Sequence, residues 1–172
     1  MKENLLTRRQ LIARVAAAIG AVAASKMSAE AQTNAAPTVS DATRTSLHQE
    51  IGLSASPKRI YQILLDSKLF SDFSGEPAQI GKKEGDSFSM FGGVIVGRNI
   101  ELAPDQRIVQ AWRPTHWSAG VYSIVRFELK AQGAETALIL DHTGFPEGDF
   151  ASLNYGWKLK YWDPLKKYLA KA

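Results

Sequence analysis

Hydrophobic and polar positions divide the chain into an N-terminal quarter without strand or helix periodicity and a patterned remainder. Residues 47–53 alternate, with Leu47, Gln49, Ile51 and Leu53 on one side, and predict a first strand. Ser56-Pro57 then opens a helix, with serine as cap and proline in the first turn, and Ile60, Tyr61, Ile63 and Leu64 give it an apolar stripe. Residues 67–73 predict a second short helix closed by Gly75 and Pro77. From Glu84 the period changes to two. Strands are predicted over 87–91, 94–102, 107–113, 120–130 and 136–143, with turns at Gly92-Gly93, Pro104-Asp105 and Gln132-Gly133. In the second of these, Val94, Val96, Arg98, Ile100 and Leu102 alternate; Val121, Ser123, Val125, Phe127 and Leu129 share a face further on, as do Leu138, Leu140 and His142. Turns this short imply an antiparallel meander.

The chain closes on a predicted helix of about twenty residues, 149–169. Phe150, Leu153, Trp157, Tyr161, Leu165 and Tyr168 recur at three- and four-residue spacing and make one continuous apolar face. Pro164 is expected to kink this helix or to start a displaced last turn. Gly156 beside Trp157 reads as the place where the helix approaches the sheet. A sheet with a single long helix must curl around it to bury both apolar faces. The expected architecture is therefore α+β: a helix-grip fold, with a curved antiparallel sheet around the C-terminal helix and two short helices after the first strand.

The N-terminal quarter reads differently. Thr7-Arg8-Arg9-Gln10-Leu11-Ile12 looks like a twin-arginine export motif, and an Ala- and Gly-rich apolar run follows over 15–24. That run is far shorter than the ~20 apolar residues that span a bilayer, so no stable anchor is expected in the mature form. Lys26 follows the run, and Ala29-Glu30-Ala31 has the small-x-small pattern of a signal-peptidase site. The expected organisation is a twin-arginine signal over 1–31, a flexible leader over 32–45 and one domain over 46–172. The expected destination is the periplasm or the exterior.

Charge changes its meaning once this segment is set apart. The 172-residue chain carries a formal net charge of +4, but residues 1–31 hold five basic and two acidic residues. Sixteen basic and fifteen acidic residues remain, a net of +1, and nucleic acid is not an expected partner. The chain has no cysteine, which excludes disulfides, thiolate catalysis and iron–sulfur ligation. His48, His116 and His142 do not lie at metal-ligand spacing, so neither a metal nor another cofactor is expected. Gly92-Gly93 sits between strands rather than before a helix and is no phosphate loop. Asp141, Glu147 and Asp149 are explained by turn and cap roles.

Five fragments carry a family resemblance. They are Phe73-Ser74-Gly75-Glu76-Pro77-Ala78, the stretch from Phe91-Gly92-Gly93 to Gly97-Arg98, and Ile108-Val109-Gln110-Ala111-Trp112-Arg113 followed by Trp117. Thr136, Leu138 and His142-Thr143-Gly144-Phe145-Pro146 form the fourth, and Gly156-Trp157 with Tyr161-Trp162 the fifth. In this order, across residues 46–170, they resemble the C-terminal domain of activators of heat-shock protein 90 ATPase, within the START-like (SRPBCC) superfamily. The resemblance implies a hydrophobic ligand held between sheet and helix, while the export signal points away from cytosolic chaperones and ATP.

The expected function is binding of a small hydrophobic or amphipathic ligand, with Trp112, Phe127, His142, Trp157 and Tyr161 as the candidate contacts. Each tryptophan reads first as core, and two of the four as cavity wall. No catalytic residue is assigned. Two alternatives stay open: a protein-interaction domain with an unknown partner, and a cyclase-, dehydratase- or hydrolase-type enzyme using His142 with Tyr161 or Tyr122.

Overall fold

The computed structural model describes residues 40–171. The predicted signal over 1–31 and most of the predicted leader lie outside the described residues. Of that leader, residues 41–43 form a single 3-10 turn capped by the Ser40 hydroxyl. The Ala42 carbonyl accepts from the Gly148 N–H at 2.9 Å, and the Arg44 guanidinium lies 3.9 Å from the centre of the Phe150 ring.

Strand β1 (Ser46–Leu53) buries Leu47, Ile51 and Leu53, as the alternation predicts. Helix α1 (Pro57–Leu65) begins where the Ser56 hydroxyl accepts from the Arg59 N–H and where Pro57, with no N–H, leaves no donor in need of an acceptor. Helix α2 (Ser67–Ser74) is capped by the Asp66 carboxylate, which accepts from the N–H groups of Lys68 and Leu69. It ends at Gly75, whose φ of 74° is the left-handed conformation that closes helices. A two-residue strand β2 (Gln79–Ile80), absent from the sequence reading, precedes β3 (Ser87–Met90), β4 (Ile95–Ala103), β5 (Arg107–Pro114), β6 (Ser123–Gln132) and β7 (Glu135–Thr143).

All seven strands form one antiparallel sheet in the order β1-β7-β6-β5-β4-β3-β2. The C-terminal helix closes its inner face. The buried core lies between them and includes Leu47, Ile108, Val125, Phe127, Leu138, Leu140, Trp157 and Leu165. This is the expected helix-grip architecture.

Two elements depart from the sequence reading. In β4 the register shifts between Asn99 and Glu101, so Ile100 is an extra, bulged residue. Ahead of the bulge the inward positions are Ile95 and Asn99, one step out of phase with the predicted Val94, Val96, Arg98 and Ile100. Val94 is 54% exposed and Ile100 47% exposed. Past the bulge Leu102 returns to the core side.

The second departure is in the C-terminal helix. It runs as α3 (Phe150–Gly156), a π-helical stretch over Trp157–Trp162, and α4 (Asp163–Leu169). The Asp163 N–H donates to the carbonyl of Lys158, five residues back. Pro164 has no N–H to give, and the backbone accommodates it by widening upstream and restarting at Asp163. Within this stretch Trp157, Tyr161 and Trp162 are all buried.

Candidate functional site

At one end of the sheet–helix interface the packing opens into a cavity of about 320 Å³. The helix supplies two rows of its lining. Leu153, Trp157 and Tyr161, four residues apart, make the deeper row, while Ser152, Gly156 and Lys160 make the rim. From the sheet come Ile95 of β4 and Trp112 and Pro114 of β5. Phe91 and Val94 come from the connection between β3 and β4. Glu76 and His116 complete the lining from loops.

Aromatic rings set the shape of the walls. Trp112 stacks on Trp157 with ring centres 5.0 Å apart and planes 18° from parallel. Trp162 stacks on Trp157 from another side at 5.5 Å and 16°. Tyr161 meets Phe91 edge-on at 5.3 Å and Phe70 at 5.6 Å. Phe91 reaches its place with a φ of 54°, followed by Gly92 at 64° and Gly93 at 98°. A left-handed phenylalanine costs on the order of 1–2 kcal/mol. The Gly92 N–H donates to the Pro77 carbonyl at 2.9 Å and ties this turn to the loop after α2.

Behind the wall runs a chain of buried polar bonds. The Trp157 indole N–H donates to His142 Nδ1 at 3.1 Å. An indole nitrogen only donates, so Nδ1 accepts and the histidine proton sits on Nε2. Nε2 lies 2.7 Å from Ser123 Oγ, and that hydroxyl donates to the Trp112 carbonyl at 3.1 Å. Burial pushes the His142 pKa down to about 3, so the ring is neutral near pH 7. The Tyr161 hydroxyl donates to Met90 Sδ at 3.5 Å, and burial holds its pKa well above the ordinary tyrosine value. The interior thus offers a neutral imidazole with both nitrogens bonded and a phenol that keeps its proton.

Of the five candidate contacts, Trp112, Trp157 and Tyr161 line the cavity. Phe127 and His142 do not. Both face inward, but they pack around Trp157, Phe127 edge-on at 5.7 Å and His142 at 5.8 Å. The sequence reading missed Phe91, Ile95, Pro114 and the rim residues. Ser152, Gly156 and Lys160 were accessible from helix spacing, since they neighbour the apolar stripe. Gly156 is also corrected in role. A Cβ placed on it would have no heavy atom within 4 Å, so close approach to the sheet does not require glycine there.

The histidines do not converge: His48 bonds Asp141 at 2.7 Å, His116 is at the cavity mouth, and His142 is buried. Among the described residues no group of three or more His, Cys, Asp or Glu could hold a metal ion. Among the same residues no helix is long and apolar enough to cross a membrane.

Comparison with known proteins places this geometry in a family. A homologue of the activator of 90 kDa heat shock protein ATPase from Dictyostelium discoideum is 33% identical over 134 residues, covering 77% of this chain and 35% of the relative. Activator homolog 1 from Homo sapiens is 26% identical over 112 residues, covering 65% of this chain and 33% of the relative. The chain therefore spans about a third of the length of these curated relatives. The crystal structure of an HSP90 activator from Plasmodium falciparum superposes with a TM-score of 0.71 at 24% identity, covering 74% of this chain and 97% of that one. The profile described as activator of Hsp90 ATPase homolog 1-like protein matches residues 54–170, and the chain belongs to that family.

Proposed function

We propose that this protein is exported by the twin-arginine route and holds one compact, apolar or amphipathic molecule between its sheet and its C-terminal helix. The observation that carries the reading is the cavity walled by Trp112, Trp157, Tyr161, Phe91 and Ile95. Protein interiors pack to crystal-like density, with few voids larger than a water molecule. A space of about 320 Å³ lies at the low end of the volumes in which small molecules are held. Its walls favour transfer of apolar surface from water, and its polar groups sit at the rim.

The same geometry argues against His142 and Tyr161 as an acid–base pair. A general base needs a free lone pair within reach of substrate, and His142 has none. Tyr161 is held protonated against a sulfur. Export rests on Arg8-Arg9, the short Ala-rich run and Ala29-Glu30-Ala31.

A second reading, a protein-interaction domain, is favoured by one observation: the curated relatives are named as activators of a heat-shock protein ATPase. Native mass spectrometry of protein recovered from its own cell envelope separates the two. A bound species of defined mass, released on unfolding, is the expected result. Ligand-free protein co-purifying with one stoichiometric protein partner supports the second reading instead.

A further inference from the structure

Gly156 is the gap in the cavity rim. Ser152 and Lys160 flank it at four-residue spacing on the same edge of the helix, and all three line the cavity. The usual reasons for a glycine do not apply. Its φ of −60° and ψ of −42° are ordinary helix values, open to any residue but proline. A Cβ would have no heavy atom within 4 Å, so no neighbour requires its absence. The helical path also continues past it into the π-helical stretch Trp157–Trp162. Glycine inside a helix is nonetheless less stable than alanine by about 1 kcal/mol. What the missing side chain leaves is open space at the mouth of the cavity.

We infer that Gly156 is the specificity-determining position of this site. The absent side chain is the opening through which a compact apolar ring compound enters, and the size of residue 156 sets the upper size of what is admitted. This rests on the ligand-holding reading proposed above. The ligand class follows from the lining. The aromatic walls of Trp112, Trp157 and Tyr161 suit a compact ring system, and the volume suits one small molecule. The charges at the rim, Glu76 and Lys160, are of opposite sign and neither is buried. The interior therefore selects for an uncharged body.

The test compares the purified wild type with Gly156→Ala and Gly156→Leu, using thermal melts and fluorescence titration with the uncharged probe N-phenyl-1-naphthylamine. Gly156→Ala is expected to melt at or above the wild-type temperature and to keep the probe. Gly156→Leu is expected to stay folded and to weaken probe binding by about tenfold or more, as bulk enters a fitted apolar site. If Gly156→Leu binds the probe as tightly as wild type, the role of Gly156 is overturned while the ligand reading stands. If Gly156→Ala melts several degrees lower, the glycine serves packing and the inference is likewise overturned. A folded wild type that binds neither this probe nor a panel of other apolar ring compounds overturns the ligand reading, and this inference with it.

Discussion

The indole N–H of Trp157 donates to His142 Nδ1 at 3.1 Å, and this bond fixes the chemistry of the histidine. It makes Nδ1 an acceptor, puts the proton on Nε2 and directs that proton to Ser123. A protonated His142 would carry a proton on each nitrogen and would confront the indole donor with a second donor. Burial acts in the same direction and lowers the His142 pKa to about 3.

The pH dependence of stability follows. Unfolded His142 takes up a proton near its ordinary value of 6.5, whereas the folded ring stays neutral down to about pH 3. The unfolded state therefore binds more protons between these limits. This contribution to stability is fully present above about pH 6.5 and is lost as the pH falls, by up to ~1.4 kcal/mol per pH unit. Denaturant unfolding between pH 7 and 4.5 should show the decline. In His142→Gln the decline should be shallower, from a lower starting stability. Parallel curves for the two proteins would contradict the assignment.

Trp157 packs between Trp112 and Trp162 and supplies the His142 bond, so it is the residue on which wall and core both depend. Trp157→Phe keeps a ring but shortens the stack and leaves Nδ1 without a donor. The expected loss is about 2–4 kcal/mol, from reduced packing and an unsatisfied buried acceptor. Equilibrium unfolding followed by far-UV circular dichroism measures it, and a loss under about 1 kcal/mol would place the stabilising contacts elsewhere.

Gly97 is the opposite case to Gly156. A Cβ on Gly97 would lie 2.0 Å from the Ala111 carbonyl oxygen and 2.3 Å from the Phe88 ring. Backbone oxygen cannot step aside as a flexible side chain can. Gly97→Ala should therefore destabilise the protein by more than about 2 kcal/mol, or prevent folding, through overpacking at the β3–β4–β5 contact. A melting temperature equal to wild type would show that the strands separate more easily than this geometry allows.

Much of this was readable in the sequence because period two and period 3.6 report directly on which face is buried. The β1 and β6 faces and the helix stripe all came from that signal. The β4 face did not, because one inserted residue, Ile100, reverses the phase of the strand and carries no side-chain signature of its own. The inward Asn99 was also hidden by its polarity. It is 1% exposed, donates to the Gly81 carbonyl at 2.8 Å and accepts from the Gln110 amide at 2.9 Å, so its burial is satisfied by partners distant in sequence. For the cavity, the sequence separated inward from outward but not near from far. Phe127 and His142 face the same way as Trp112, yet Trp157 lies against them, and depth along the interface is a tertiary property.

Export is tested separately from the cavity. Replacing Arg8 and Arg9 together with lysine should leave unprocessed precursor in the cytoplasm, seen by fractionation and immunoblotting against the wild type. Lysine keeps the charge, so a block would depend on the arginine pair itself. Undiminished recovery of processed protein from the periplasm would contradict the twin-arginine assignment.

The central claim is that the space beside Trp112 and Trp157 accepts a molecule. Its most direct test is a titration of isotope-labelled protein with N-phenyl-1-naphthylamine, followed by two-dimensional NMR. Each of the four tryptophans gives one indole N–H reporter, and two of them line the cavity. Saturable shifts are expected, largest for the indole signals of Trp112 and Trp157 and for the backbone amide of Gly156. A folded protein in which none of these three signals moves at saturating probe would contradict that claim.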